Sequence, residues 1–184
     1  MEIVITQHIL KKYLMNTIIN TKFKDLKVIK LKSFRDKRGE LYFGIISKVF
    51  KNKFVYDYTS ISKKNVFRGF HYQSKKKQGK IITVFQGSII DCVIDLRKKS
   101  KTYKKHFKIL LSSKNKKSLY IPPGFAHGYY VKENNTIVNC KQTKYYSAKY
   151  EKGIIWNDKN LKLNWKFKKP LLSRKDMKQP KFYS

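Results

Sequence analysis

Four histidines hold the side chains best suited to binding a metal or an anion: His8, His71, His106 and His127. His8 lies in an N-terminal appendage and His106 in a lysine-rich stretch, so both are expected at the surface. His71 stands in Phe67-Arg68-Gly69-Phe70-His71-Tyr72-Gln73, three residues after an arginine. Residues three apart in a regular strand face opposite sides, but Gly69 can bend or bulge the chain so that Arg68 and His71 reach one cavity. His127 follows Ile121-Pro122-Pro123-Gly124-Phe125-Ala126. The prolines and glycine there make a rigid turn that delivers it at the head of a strand. Metal sites in barrels usually take three or four ligands, often with His-x-His spacing. Neither histidine has such a neighbour, so no metal is expected. Two readings stay open: each is a hydrogen-bonded core histidine, or the two line an anion-binding cavity with Arg68 and Lys80.

The elements that must position these groups read as strands. Lys80 to Gln86 is a β-rich run, and Gly87-Ser88 has glycine first, as a type II′ hairpin turn requires. The returning run, Ile89 to Arg97, alternates. Ile90, Cys92, Ile94 and Leu96 fall on one face, with Asp91, Val93, Asp95 and Arg97 on the other. Further strands fit Phe107–Leu111, Ser118–Ile121, Gly128–Val131 and Thr136–Thr143, and alternation begins at Lys27. Leu41 to Val49 is apolar and strand-like. Many short strands with few helical windows predict a mainly β antiparallel sandwich or barrel. The tail from Lys162, punctuated by Pro170 and Pro180, is expected to pack over it as coil with short helical pieces. Residues 1–14 read as an extension, with Met15 an alternative start, and 15–184 as a single domain.

Composition excludes several classes. The chain of 184 residues has room for one core. Hydrophobic residues make up 41%, too many for wholesale disorder. No run approaches the ~18 apolar residues of a membrane helix, and Lys11 and Lys12 follow the first apolar residues where a secretory signal would put them before. Cys92 and Cys140 are too few for a disulfide framework and fit a reducing compartment, hence the cytoplasm. The net charge is +33, yet only five of the 44 basic residues are arginine. Nucleic-acid readers favour arginine, whose planar fork pairs with phosphate and guanine. Lysine spread evenly beside Ile and Asn reads as a coding bias and a solvated surface, so neither a nucleic acid nor a membrane is expected as partner.

At the level of ordered blocks, the chain resembles the nucleotide-sugar epimerases typified by dTDP-4-dehydrorhamnose 3,5-epimerase. The blocks are Phe34-Arg35-Asp36-Lys37-Arg38-Gly39, Ser62 to Gln73, Gln78-Gly79-Lys80, Asp95 to Ser100, Ile121 to Gly128, Tyr145-Tyr146-Ser147, Gly153 to Asp158 and Leu172 to Asp176. The resemblance implies a cupin-type jelly roll (double-stranded β-helix) with short peripheral helices, usually a homodimer. It implies an isomerase that epimerises C3, C5 or both of a nucleoside-diphosphate 4-keto-6-deoxyhexose for surface polysaccharide or lipopolysaccharide synthesis, without a cofactor. Protons beside the ketone are acidic because the anion delocalises into an enolate, and inversion needs a base, an acid and a cation near the oxygen. His71 matches the base, Asp176 the carboxylate that pairs with it, and Lys80 the lysine near the enolate oxygen. Arg68 and His127 match residues near diphosphate and sugar, Arg38 one on the nucleotide side, and Tyr146 one lining the pocket, which is also a catalytic candidate for returning the proton. Gln73 and Lys175, from the same blocks, are further substrate-binding candidates.

Two departures stand out. The family commonly has a tyrosine as general acid where this chain has Cys140. A thiol has an unperturbed pKa of ~8.5 against ~10 for tyrosine, so it can donate a proton, but it is shorter by a ring. The family's Gln-Asp-Asn is Tyr56-Asp57-Tyr58 here, which suggests a base stacked on Tyr56 or Tyr58. These departures leave a mono-epimerase, a sugar ketoisomerase or a catalytically silent nucleotide-sugar-binding module as alternatives.

Overall fold

Short β-branched and aromatic runs, cut by Gly, Pro and Asn turns, fit a pleated surface better than a helix. In the computed structural model they form thirteen strands among the described residues, which are 16–42, 44, 50, 53–167 and 169–182. The extension 1–14 with His8, Met15, and most of the apolar run 41–49 lie outside the described residues. Residues Thr17–Asn20 (β1), Lys27–Lys30 (β2), Lys117–Ile121 (β10), Lys80–Gln86 (β7), Thr136–Gln142 (β12) and Tyr56–Ser62 (β5) make one sheet in that order. Residues Glu151–Gly153 (β13), Phe67–Gln73 (β6), Phe125–Val131 (β11), Ser88–Asp95 (β8) and His106–Ser112 (β9) make a second. Ser33–Asp36 (β3) and Gly39–Tyr42 (β4) form a separate hairpin. All these strand pairs are antiparallel. The molecule is the mainly β jelly roll that the strand pattern and the resemblance predict.

Between the sheets lies a core that includes Val28, Ile82, Val84, Val93, Leu119, Val131 and Val138. A second apolar layer explains why β8 is buried on both faces. Val93 points between the sheets, while Cys92 and Ile94 point outward, with Leu96 beside them, under Trp156, Trp165 and Phe167 of the C-terminal segment. The two faces sort as the alternation predicts. The tail is coil with one helical turn, Arg174–Met177 (α1), whose first turn is capped by Ser173 Oγ accepting from the Asp176 amide at 3.0 Å. It docks on β6 through reciprocal backbone bonds, Leu171 N to Asn65 O (2.8 Å) and Phe67 N to Leu171 O (2.9 Å).

The predicted β7–β8 hairpin is corrected. Gly87 does reverse the chain at φ +76°, but β7 and β8 belong to different sheets, so the turn is a corner that crosses the sandwich. A local turn signal specifies the reversal and says nothing of hydrogen-bonding partners. The bulge expected at Gly69 is present. His71 pairs with His127 and Arg68 with Tyr129, so three steps along β6 match two along β11. Gly69 takes φ +114°, and a Cβ there would come within 2.5 Å of the His127 carbonyl oxygen.

Candidate active site

Directly opposed residues in an antiparallel sheet share a face. Val84 and Ile82 face the inner core, so Lys80, two residues on, does too, and its partner Gln142 with it. The β12–β5 register carries the same face on to Tyr56, opposite Gln142, and to Tyr58, opposite Cys140. On the second sheet His71 and Gln73 face inward from β6. Where these rows end, the sheets leave a cavity of about 250 Å³. His71, Tyr72 and Gln73 line one side and Lys80, Gln142, Tyr56 and Tyr58 the other, with Gln78, Tyr146 and Glu151 at the rim.

His71 is held by Asp176, 105 residues further along the chain, with Nε2 and Oδ1 2.6 Å apart. Asp176 is buried, and burial alone would raise its carboxyl. Hydrogen bonds from His71, Ser173 and the Gly69 amide outweigh that and hold it below the ordinary carboxylate value. An ionised partner fixes the proton on Nε2 and leaves the Nδ1 lone pair as a base. Lys80 is buried to 9% exposure, and no carboxylate among the described residues pairs with it. Its ammonium is therefore available to an anionic oxygen in the cavity. The side-chain oxygens of Gln73 and Gln142 are buried there without a protein donor. They are acceptors suited to hydroxyl groups of a ligand.

Glu151 was not singled out by sequence reasoning. Its carboxylate, pushed up by burial but held down more strongly by Lys175, Tyr146 and the His71 charge, stays ionised at the rim. Tyr146 donates to Glu151 Oε2 at 2.6 Å, and Lys175 pairs with the same oxygen. Gln78 and Gln142 were likewise missed as site residues, while Tyr56 and Tyr58, expected only as a platform for the nucleotide base, both line the cavity; strand register and folding place them, which no local motif encodes.

The other expected residues lie outside the cavity lining. Asp176 stands behind it, and Lys175 is an exposed side chain at the rim, paired with Glu151 as described. His127 is next to His71 in register but buried, its Nε2 2.8 Å from Asp91 Oδ2. Arg68 is exposed and donates from Nε to Ser62 Oγ at 3.1 Å. Arg38 sits on the β3–β4 hairpin, clasped to Asp36 at 2.6 Å, and lines a separate surface hollow. Cys140 is buried at 2% exposure in the inner core, with burial pushing its thiol up. Among the described residues no three His, Cys, Asp or Glu side chains gather as a metal site, and no helix is long and apolar enough to cross a membrane.

A base backed by a carboxylate, facing a lysine across the cavity, can remove a proton from carbon and stabilise the resulting oxyanion. Comparison with known proteins points the same way. The family model for dTDP-4-dehydrorhamnose 3,5-epimerase matches residues 20–184. The dTDP-4-dehydrorhamnose 3,5-epimerase of Shigella flexneri is 38% identical over 172 residues, 90% of this chain and 95% of that protein. The crystal structure of the Bacillus anthracis str. Ames enzyme with TDP and PPi bound superposes with a TM-score of 0.88 at 38% identity, covering 91% of this chain and all of that one. A Legionella pneumophila dTDP-6-deoxy-D-glucose-3,5-epimerase in complex with dTDP-4-keto-L-rhamnose gives 0.85 at 34% identity, covering 92% and 100%. The match spans both sheets and the tail that brings Asp176 to His71, and the chain belongs to the dTDP-4-dehydrorhamnose 3,5-epimerase family of isomerases.

Proposed function

We propose that this isomerase binds a nucleoside-diphosphate 4-keto-6-deoxyhexose in the cavity and inverts C3 and C5 beside its ketone. The observation that carries the reading is the His71–Asp176 contact on one wall with Lys80 on the other. His71 takes the proton, Asp176 holds the imidazole in orientation and stabilises its cation, and Lys80 neutralises the enolate oxygen. Gln73 and Gln142 accept hydrogen bonds from sugar hydroxyls. Tyr146 and Lys175, joined through Glu151, shape the rim on the sugar side. Arg68 and His127 support the diphosphate and sugar from beyond the lining. Arg38 is assigned to the nucleotide, reaching the cavity of a second copy in a homodimer.

The reaction needs only proton transfer and so calls for no redox group. We place it in the cytoplasm, in keeping with two buried free thiols, where its product supplies deoxysugar for surface polysaccharide. A mono-epimerase remains the second reading, because Cys140 is buried away from the lining and cannot serve as a second proton source there.

Incubation with dTDP-4-keto-6-deoxyglucose in heavy water tests this. Deuterium at C3 and C5, read by NMR, is expected in the wild type, with none above background in His71→Ala. Label at one carbon only supports the mono-epimerase. Tight binding without label refutes an enzymatic role.

A further inference from the structure

Inversion at carbon needs the new proton to arrive on the face opposite the base. His71 stands on the five-stranded sheet, so the donor must come from the other wall, built by β7, β12 and β5. Ser60 and Ser62 face inward there, but they are bonded to Tyr129 and Arg68 away from the lining, which leaves Cys140, Tyr56 and Tyr58 as O–H or S–H groups to weigh. Cys140 is enclosed in the core and takes no part in the lining. Tyr56 opens β5 opposite Gln142, one residue pair further from Cys140, and its ring packs on Tyr145 with centroids 6.1 Å apart. Tyr146 is committed to Glu151, whose strand β13 flanks β6 on the same sheet as the base. Tyr58 remains. It is the cross-strand partner of Cys140 and lines the cavity; its hydroxyl rests against that thiol, a far weaker acceptor than the carboxylate that holds Tyr146.

We infer that Tyr58 is the proton donor on the face opposite His71, having taken over across one strand pair a task that Cys140 is too short and too buried to perform. The inference rests on the proposed reaction. The hydrogen on carbon leaves as a proton to His71, and its bonding pair moves into the enolate beside Lys80. The enolate carbon then takes a proton from the Tyr58 hydroxyl on the far face: a C–H bond forms, the O–H bond breaks, and a phenolate remains. The imidazolium returns one proton to solvent and the phenolate takes one up, so no proton is gained over a turnover. Tyr58 is 42% exposed as a residue, but the surroundings of its hydroxyl push the phenol up and keep it protonated, and the Arg68 charge nearby favours the phenolate when it forms.

The test separates hydrogen exchange from inversion in Tyr58→Phe, using dTDP-4-keto-6-deoxyglucose in heavy water. His71 can still remove hydrogen and return deuterium on its own face. Deuterium uptake with retained configuration is therefore expected within about threefold of wild type, while inverted product falls about 100-fold or more. Continued exchange also shows that the variant is folded. Inversion undiminished in Tyr58→Phe overturns the assignment, as does a parallel loss of exchange and inversion, which marks a packing role. Loss of inversion in Cys140→Ala with Tyr58→Phe unaffected hands the role to the thiol. Absence of exchange in the wild type overturns the proposed reaction and this inference together, whereas exchange with unchanged inversion in Tyr58→Phe overturns this inference alone.

Discussion

His71 and Asp176 owe their value to one short contact, 2.6 Å long, between an imidazole on the cavity wall and a carboxylate buried behind it. Replacing Asp176 by Asn keeps the shape but removes the charge that stabilises the imidazolium. We expect solvent exchange to fall about 100-fold or more in Asp176→Asn, with binding of dTDP, measured by calorimetry, altered far less. The two residues were legible to different degrees. The setting of His71 beside Arg68 and Gly69 marks it as a candidate from local sequence. Nothing in Ser173-Arg174-Lys175-Asp176 announces that its last residue will meet residue 71; only the resemblance to a known family supplied it. Tyr58 was visible as a departure from the family. Its place on the wall facing His71 became readable once the register set it opposite Cys140.

At the scale of elements, the same limit explains what sequence patterns reached. The β7 bounds, the two faces of β8 and the Gly69 bulge all follow from local sterics and alternation. The β7–β8 pairing did not, because strand partners are chosen by the whole sandwich. One element end has a measurable energy. Asp95, at the end of β8, is fully buried and accepts hydrogen bonds from Arg97 (2.8 and 2.9 Å), Ser100 (2.7 Å) and Thr102 (2.7 Å). Burial raises its carboxyl, but these donors win and hold it at about 2, against 3.8 when free. A carboxyl depressed on folding stabilises fully above the free value and loses that contribution as pH falls toward the folded one. The cluster should therefore contribute about 2 kcal/mol at neutral pH, fading between pH 3.8 and about 2. Urea unfolding should show that loss in the wild type and a flattened acid limb in Asp95→Ala.

Over the whole molecule, the charge of +33 and the lysine-rich surface govern solubility more than recognition. The outer face of the six-stranded sheet nevertheless exposes Ile61 (67%) and Phe85 (47%), which a homodimer through this face would cover. Light scattering after size-exclusion chromatography should give twice 22.0 kDa for the wild type, and the Ile61→Lys, Phe85→Glu double variant should shift to the monomer. The tail behaves differently from the rest of the surface. Its backbone is stitched to β6 on one side of α1 and, through Ile155 N to Pro180 O at 2.9 Å, to the five-stranded sheet's flank on the other. A chain still emerging from the ribosome can complete both sheets and the hollow between them before Asp176 is available. In the proposed reaction its base then lacks a counter-charge until the segment carrying Asp176 has settled against the barrel, and we expect a protease nick just ahead of Ser173 to silence the enzyme while leaving its body intact.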